Sequence, residues 1–257
     1  MIKRRVHKIA CFCAASLFLM ACHHQSNSEK KIVGEAVDKY GLFVFDTIPH
    51  GEITFFKHGT DTIIGVSNYK FGLLNGETKF FFRGKLVESA FYNSGRREGY
   101  SEHFDSLTGN MVDKEYYWAG RKLGPQYTFL NGALKKYSFI DFENREVFSA
   151  DKINPQGQLV YDDFSYLLRP SVAKIFVEGK QMLEVFFYQI TPPLMNVRYS
   201  IVHLNQSKQV VDSSIVNNNL PFWHGYIDLS FPSKPGLQVN IFDSTTSQEK
   251  VIIAEIH

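Results

Sequence analysis

Two series of glycine residues recur along the chain at intervals of 23 or 25 residues. The first series is Gly51, Gly76, Gly99 and Gly124, and each member is followed five residues later by a phenylalanine: Phe56, Phe81, Phe104 and Phe129. The second series is Gly59, Gly84, Gly109, Gly132 and Gly157, with an aliphatic residue two positions later in four of the five cases. Because the intervals differ by two residues and never by one, side chains that alternate between the faces of a strand keep their face in every unit. The same insertion would rotate the apolar stripe of a helix by about 200°, so the repeats are predicted to be β-hairpins.

A third recurring element, Tyr-x-x-Gly, begins at Tyr69, Tyr92 and Tyr117, and its glycine lies four residues before a glycine of the first series. The recurring glycines are predicted to lie at bends where the backbone needs a positive φ. We expect five hairpin units over residues 45–165. The fifth unit is degenerate, with Ser149 at the position of a first-series glycine.

The combination Tyr-x-x-Gly-x-x-x-Gly with a following Phe, and then Gly-x-Leu, resembles the variant MORN repeat of bacterial secreted and lipid-anchored proteins. The resemblance covers nearly half of the chain that follows residue 21. It implies a meander of hairpins that is often curled into a trough. It also implies contact with proteins or lipids rather than catalysis, and the family is often labelled antitoxin-like.

The regularly spaced aromatic residues have two interpretations, core and contact surface. The four phenylalanines are expected to form a buried ladder on one face of the sheet, because phenylalanine lacks the polar group that is usual at wet binding surfaces. The three tyrosines are equally compatible with the core and with a contact surface, since a phenol has an apolar body and a polar tip.

Residues 1–21 have the pattern of a secretory signal peptide, with four basic residues before an apolar run over residues 9–20. Twelve helical residues rise about 18 Å, which is too short for a hydrocarbon core about 30 Å thick. Residues 19–22, Leu-Met-Ala-Cys, resemble the lipobox of bacterial lipoproteins, in which the chain is cut before the cysteine. The resemblance implies acyl chains on Cys22, with residues 22–44 forming a tether and lead-in. Because His23 and not Asp follows Cys22, the outer membrane of the cell envelope is favoured over the inner one.

Removal of the signal peptide changes the charge balance of the chain. The whole chain has 28 Lys and Arg against 26 Asp and Glu, and four of the bases but none of the acids lie in residues 1–21. The basic excess therefore belongs to the signal peptide, and no nucleic-acid partner is predicted. Cys11 and Cys13 also lie in that segment, so no disulfide is expected in the remaining chain.

Residues 166–257 lack the repeat and contain seven short runs of strand-forming residues with turn sequences between several of them. This pattern predicts an antiparallel β-sandwich, most simply an immunoglobulin-like one. The segment 217–225 contains Trp223. It is predicted to be either a contact loop or an aromatic plug that closes one end of the sandwich.

The chain contains no His-Glu-x-x-His, Gly-x-Ser-x-Gly, phosphate-binding loop or dinucleotide fingerprint. Its histidines are dispersed, without the spacing of metal ligands. We therefore expect a non-enzymatic protein with no cofactor and no metal. The first hypothesis is an envelope lipoprotein whose repeat sheet is a protein-interaction or scaffold surface. The alternatives are a module that binds glycan or peptidoglycan through Tyr and Trp, and an antitoxin-like protein that neutralises a toxin.

Overall fold

A computed structural model describes residues 30–33 and 48–256, except for residues 58, 162–163, 165–166, 168, 217–218 and 230–232. Over these residues the protein is all-β, as predicted, and it contains no α-helix. None of the described segments is a helix long and apolar enough to cross a membrane.

The repeats and one preceding strand, from the segment predicted as tether and lead-in, form one sheet whose ten strands are ordered as they follow in the chain. Its strands are β1 (Lys30–Val33), β2 (Gly51–Phe56), β3 (Ile63–Lys70), β4 (Leu73–Phe82), β5 (Lys85–Asn93), β6 (Arg96–Phe104), β7 (Met111–Trp118), β8 (Arg121–Leu130), β9 (Ala133–Ile140) and β10 (Glu146–Ala150). The strands from β2 onward form an antiparallel meander of hairpins, whereas β1 pairs with β2 in parallel. The predicted meander of hairpin repeats is therefore confirmed.

Two-residue turns connect many of these strands. In each of them both residues have positive φ, which is the type I′ geometry that matches the twist of a hairpin. These turns are Phe71-Gly72, Arg83-Gly84, Ser94-Gly95, Ala119-Gly120 and Asn131-Gly132. The glycine of every Tyr-x-x-Gly element thus lies at a hairpin turn.

The two-residue difference between units lies in the connections and not within a strand. Phe56 pairs with Ile63, and Phe104 pairs with Met111, so six residues separate each pair. In the shorter unit the equivalent Phe81 pairs with Leu86, and only four residues lie between them. The longer loops also place their glycines differently, at Gly59 in one loop and Gly109 in the other, which explains why Gly59 has no aliphatic residue two positions later.

The first-series glycines do not lie at hairpin bends, and this part of the prediction was wrong. Gly76, Gly99 and Gly124 lie inside β4, β6 and β8, and Gly51 begins β2. The pairing of β3 with β4 shifts opposite Gly76, and the pairing of β5 with β6 shifts next to Gly99. Positive φ at Gly76 and Gly99 therefore serves β-bulges within the strands.

By its internal contacts the chain forms two compact units. The first contains the repeats as far as Lys122 together with Thr128–Ala133, and the second contains Leu123–Tyr127 and the chain from Leu134 onward. Most of β9, from Leu134 onward, and all of β10 therefore belong to the second unit, although residues 45–165 follow one repeat pattern.

The second unit contains the predicted β-sandwich. One of its sheets has the order β11-β12-β15 and the other has the order β14-β13-β16-β17. The strands are β11 (Ser171–Val177), β12 (Lys180–Tyr188), β13 (Met195–Leu204), β14 (Val210–Ile215), β15 (Phe222–Asp228), β16 (Lys234–Asp243) and β17 (Gln248–Glu255). Alternate residues of both sheets, including Val185, Phe187, Tyr199 and Val239, are buried in one shared core.

Candidate functional site

The inner face of the first unit is the face that carries the buried residues Ile53 and Phe55. Residues paired across neighbouring strands point to the same side of a sheet. One row of paired residues crosses six strands on this face and consists of Ile53, Ser67, Thr78, Ala90, Ser101 and Glu115. The first five residues of this row are buried, and the sixth is a carboxylate.

The chemistry of the inner face changes along the sheet. Over β2–β5 it carries an apolar cluster that includes Phe55, Tyr69 and Leu74. Over β5–β8 it carries a group of mostly half-buried polar side chains, which we call the ionic patch. The ionic patch consists of Glu88, Tyr92, Arg97, Ser101, His103, Glu115, Tyr117 and Lys122.

Arg97 is the most heavily bonded residue of the ionic patch. Its Nε donates to the Tyr92 hydroxyl at 3.0 Å, one terminal nitrogen donates to the Ser101 hydroxyl at 3.3 Å, and the other donates to Glu88. Its guanidinium also lies over the Tyr117 ring, 5.3 Å from the centroid. Burial opposes the charge, but Tyr92 and Glu88 together keep the pKa of Arg97 above its ordinary value. The guanidinium is therefore held in one orientation on the sheet.

Glu115 forms the second centre of the ionic patch. It accepts hydrogen bonds from Lys122 and from the Tyr117 hydroxyl, the latter at 2.8 Å, and His103 Nε2 lies 4.0 Å from it. Burial opposes its ionisation, but the hydrogen bonds from Lys122 and Tyr117 outweigh burial and lower the pKa of Glu115. Burial and the bond to Glu115 raise the pKa of Tyr117 to about 12.

These shifts indicate what the ionic patch can do chemically. A general acid or base works best with a pKa near the ambient pH, whereas Glu115 and Tyr117 are both shifted away from neutrality. Both acids, Glu88 and Glu115, are already bonded to a cation. Within the described residues no three His, Cys, Asp or Glu side chains lie together as metal ligands. The arrangement therefore offers fixed charges whose carboxylates are already paired, which is a chemistry suited to recognition of a charged or polar partner.

The three tyrosines proposed as contact residues lie on the inner face. Tyr69 and Tyr92 are buried in the apolar cluster, with 3% and 6% of their surface exposed, while Tyr117 is half-buried in the ionic patch. Each pairs across the hairpin with a first-series glycine, namely Gly51, Gly76 and Gly99 in that order.

Three members of the phenylalanine series lie on the opposite, outer face. Phe56, Phe81 and Phe104 each follow directly after an inner-face residue, and neighbouring residues of a strand point to opposite faces. These three and Phe129 are all half-buried, so they do not form the fully buried ladder that was expected. The first three pair with Ile63, Leu86 and Met111 on the following strands, and of these partners Leu86 and Met111 are also half-buried whereas Ile63 is exposed.

Trp223 lies in strand β15 and not in a loop, which corrects the predicted bounds of that segment. It is directly opposite Phe187 of β12, and the two rings stack with centroids 5.4 Å apart. Phe187 is 1% exposed, and Trp223 packs against the same sandwich core. Its indole is therefore largely a packing element.

Sequence reasoning missed Glu88, Arg97, Ser101, His103, Glu115 and Lys122 as site residues. One signal was present, because a two-residue turn at Ser94-Gly95 places Tyr92 directly opposite Arg97. A second signal was the turn at Ala119-Gly120, which brings Lys122 back beside Tyr117. The pairing of His103 with Glu88 lies beyond the bulge that shifts the register between β5 and β6.

No family model matches the chain, and no curated protein matches it. The resemblance to MORN repeats and the lipobox interpretation therefore stay predictions from the residues that carry them. Cys22 and most of the tether lie outside the described residues.

Proposed function

We propose that the protein is a non-enzymatic lipoprotein of the bacterial cell envelope whose repeat sheet binds another protein through the ionic patch. The second unit would serve as a spacer or as a further contact module. Acyl chains on Cys22 would hold the chain on a membrane, with the outer membrane favoured.

The ionic patch is the observation that carries this proposal. Over β2–β5 the inner face of the repeat sheet forms an apolar core, with residues such as Phe55 and Leu74. Over β5–β8 the same face instead carries charges that are partly withdrawn from water, which is costly unless they are paired. Arg97 is 21% exposed and Lys122 is 38% exposed, so both still reach the surface. Charges fixed in this way favour specific partners more than they add affinity.

The strand topology supports a variant MORN array followed by an immunoglobulin-like sandwich. Successive hairpins joined by xGly turns are what a variant MORN array would produce. In the sandwich the first, second and fifth strands form one sheet and the other four form the second. This order differs from the constant-type immunoglobulin sandwich only in the sheet that the fourth strand joins.

A charge-reversal pair tests the proposed surface. Lys122 bonds to Glu115 in the ionic patch, and Lys136 bonds to Glu146 elsewhere, and each lysine side chain is 38% exposed. Proximity labelling with the full-length chain in its native host should enrich one envelope protein. The Lys122→Glu variant should lose most of that enrichment, whereas Lys136→Glu should retain it. Equal enrichment with both variants would refute the role of the ionic patch.

A glycan-binding function has one favourable observation, on the outer face. Tyr100 is 39% exposed, forms an edge-to-face pair with Tyr116 and has the Lys114 ammonium 4.5 Å from its ring centroid. Exposed tyrosine rings of this kind can stack on a sugar ring. Binding of the full chain to purified cell-wall polymer, lost in Tyr100→Ala but not in Tyr226→Ala, would favour this candidate over the first. Tyr226 is a suitable control because it is also exposed.

A further inference from the structure

Among the described strands, β14 forms an edge of the four-stranded sheet and pairs with β13 alone. All six of its residues are exposed, including Val211 at 59% and Ile215 at 70%. Proteins usually protect an exposed edge with lysine, proline or a bulge. Of the other three edge strands of the sandwich, β11 and β17 carry Lys174 and Lys250, and β15 is partly buried. Strand β14 has a bulge at Val211 but no lysine, arginine or proline, and it is the one described edge strand of the sandwich whose residues are all exposed.

The hydrogen bonds to β13 determine which main-chain groups of β14 face outward. Val216 N–H donates to the Tyr199 carbonyl at 2.9 Å. Since the main chain of alternate residues faces the same neighbour in an antiparallel pair, Ser214 and Asp212 also bond towards β13. Ser213 and Ile215 therefore face the open edge. In agreement with this, the Ser213 N–H donates to the Asp212 carboxylate at 2.8 Å.

These directions restrict how a second copy of β14 could pair with the first. In an antiparallel pair, residues whose main-chain groups point to the partner stand opposite each other. Because such residues alternate along β14, the two-fold axis must pass through a residue and not between two residues. An axis at Ser213 places Ser213 opposite its own copy, Asp212 opposite Ser214 and Val211 opposite Ile215. An axis at Asp212 would place two carboxylates opposite each other, which is destabilising. An axis at Ser214 would place Ile215 opposite Ser213. Of these three registers, only the one about Ser213 brings the exposed aliphatic residues of β14 together.

We propose that two copies of the chain pair through β14, antiparallel about a two-fold axis at Ser213. The pairing joins two four-stranded sheets into one continuous sheet and covers Val211 and Ile215. The bulge at Val211 leaves Ser213 in a regular position but interrupts the alternation at Val211, so the regular main-chain hydrogen bonds across the axis are those of Ser213 with its copy. In the unpaired chain the Asp212 carboxylate accepts the hydrogen bond of the Ser213 N–H. That bond must break before the partner strand can accept from the same N–H, so Asp212 opposes dimerisation. The proposal rests on neither the ionic patch nor the lipid anchor.

Sedimentation of the purified full-length chain tests the pairing. Ser213→Pro removes the outward amide without removing a bond to β13, so dimerisation should weaken about thirtyfold or more, from the loss of two main-chain hydrogen bonds. Ser213→Ala keeps the amide and should dimerise as the wild type does. Asp212→Ala frees the amide and should tighten the dimer about tenfold. A chain that stays monomeric as wild type and as Asp212→Ala would overturn the proposal.

Cross-linking in the cell tests the register and the identity of the partner. Ser213→Cys places two thiols across the axis at a Cα separation of about 5.5 Å, which a disulfide can bridge. Ser207→Cys, exposed in the preceding turn, is the matched control. Non-reducing gels should show a species of twice the chain mass for Ser213→Cys and not for the control. Equal cross-linking of both variants, or an adduct of Ser213→Cys with a different protein, would refute self-pairing.

Discussion

Gly99 provides a direct test of the bulge geometry that keeps the repeats in phase. Its φ is +77°, and a Cβ added there would meet no atom within 4 Å. The cost of Gly99→Ala is therefore conformational and not steric. An L-residue in the left-handed region loses about 1–2 kcal/mol, and the lower entropy of the unfolded alanine chain offsets about 0.4–1 kcal/mol. The free energy of unfolding should fall by about 1 kcal/mol.

Two comparisons separate conformation from packing. At Gly76 φ is +114°, and an added Cβ would lie 3.1 Å from Asn68 Cβ, so Gly76→Ala should be more destabilising than Gly99→Ala, by about 1 kcal/mol. Asparagine tolerates positive φ better than alanine does, so Gly99→Asn should recover most of the loss.

Equilibrium urea unfolding measures these differences, and hydrogen exchange checks that the loss lies in the first unit. Trp118 of β7 provides a fluorescence signal in that unit. If Gly99→Ala is as stable as the wild type, or if Gly99→Asn is no better than Gly99→Ala, the left-handed bulge does not constrain the fold as argued.

Three further predictions follow from individual side chains. The pKa of Glu115 is lowered in the folded chain, so its ionised form stabilises the fold above about pH 4.5 and this contribution is lost as the pH falls through its folded pKa. The wild type should therefore lose more stability than Glu115→Gln between pH 7 and pH 3, and parallel urea midpoints would contradict this. Trp223→Ala should lower the stability of the second unit by about 3 kcal/mol, whereas a solvent-facing contact residue would cost less than about 0.5 kcal/mol. Mass spectrometry of the mature protein should find an acylated N-terminal Cys22, and Cys22→Ala should release the chain from membranes; an unmodified Cys22 would refute the lipobox interpretation.

The strand content of the repeats could be predicted because glycine spacing is a property of the chain alone. Intervals that differ by two residues preserve the alternation of side chains along a strand. A turn such as Ser94-Gly95 depends only on the local backbone preferences of its own residues. The role of Gly76 and Gly99 could not be predicted, because a glycine in a bulge and a glycine in a turn look the same in sequence. Only the pairing of the neighbouring strand distinguishes them.

The ionic patch was harder to predict than the fold. Tyr92 and Arg97 lie across one short turn and could have been paired from the sequence. In contrast, Glu88 lies four residues from Tyr92 along β5, and only the path of the long Arg97 side chain along the sheet brings the two charges together. The predicted bounds of the loop at residues 217–225 were wrong for a related reason. A segment rich in asparagine resembled a long loop, but opposite Phe187 the chain is already a strand with alternating faces.

Photo-crosslinking from single positions in living cells tests the central proposal most directly. A photoreactive residue at His103, which is 34% exposed in the ionic patch, probes the proposed surface. One at Thr246, in an exposed turn of the second unit, is the control. The proposal predicts an adduct with one envelope protein from position 103 that is absent from position 246 and is lost when Lys122→Glu is added. The absence of any protein adduct at 103, or the same adducts from both positions, would contradict it.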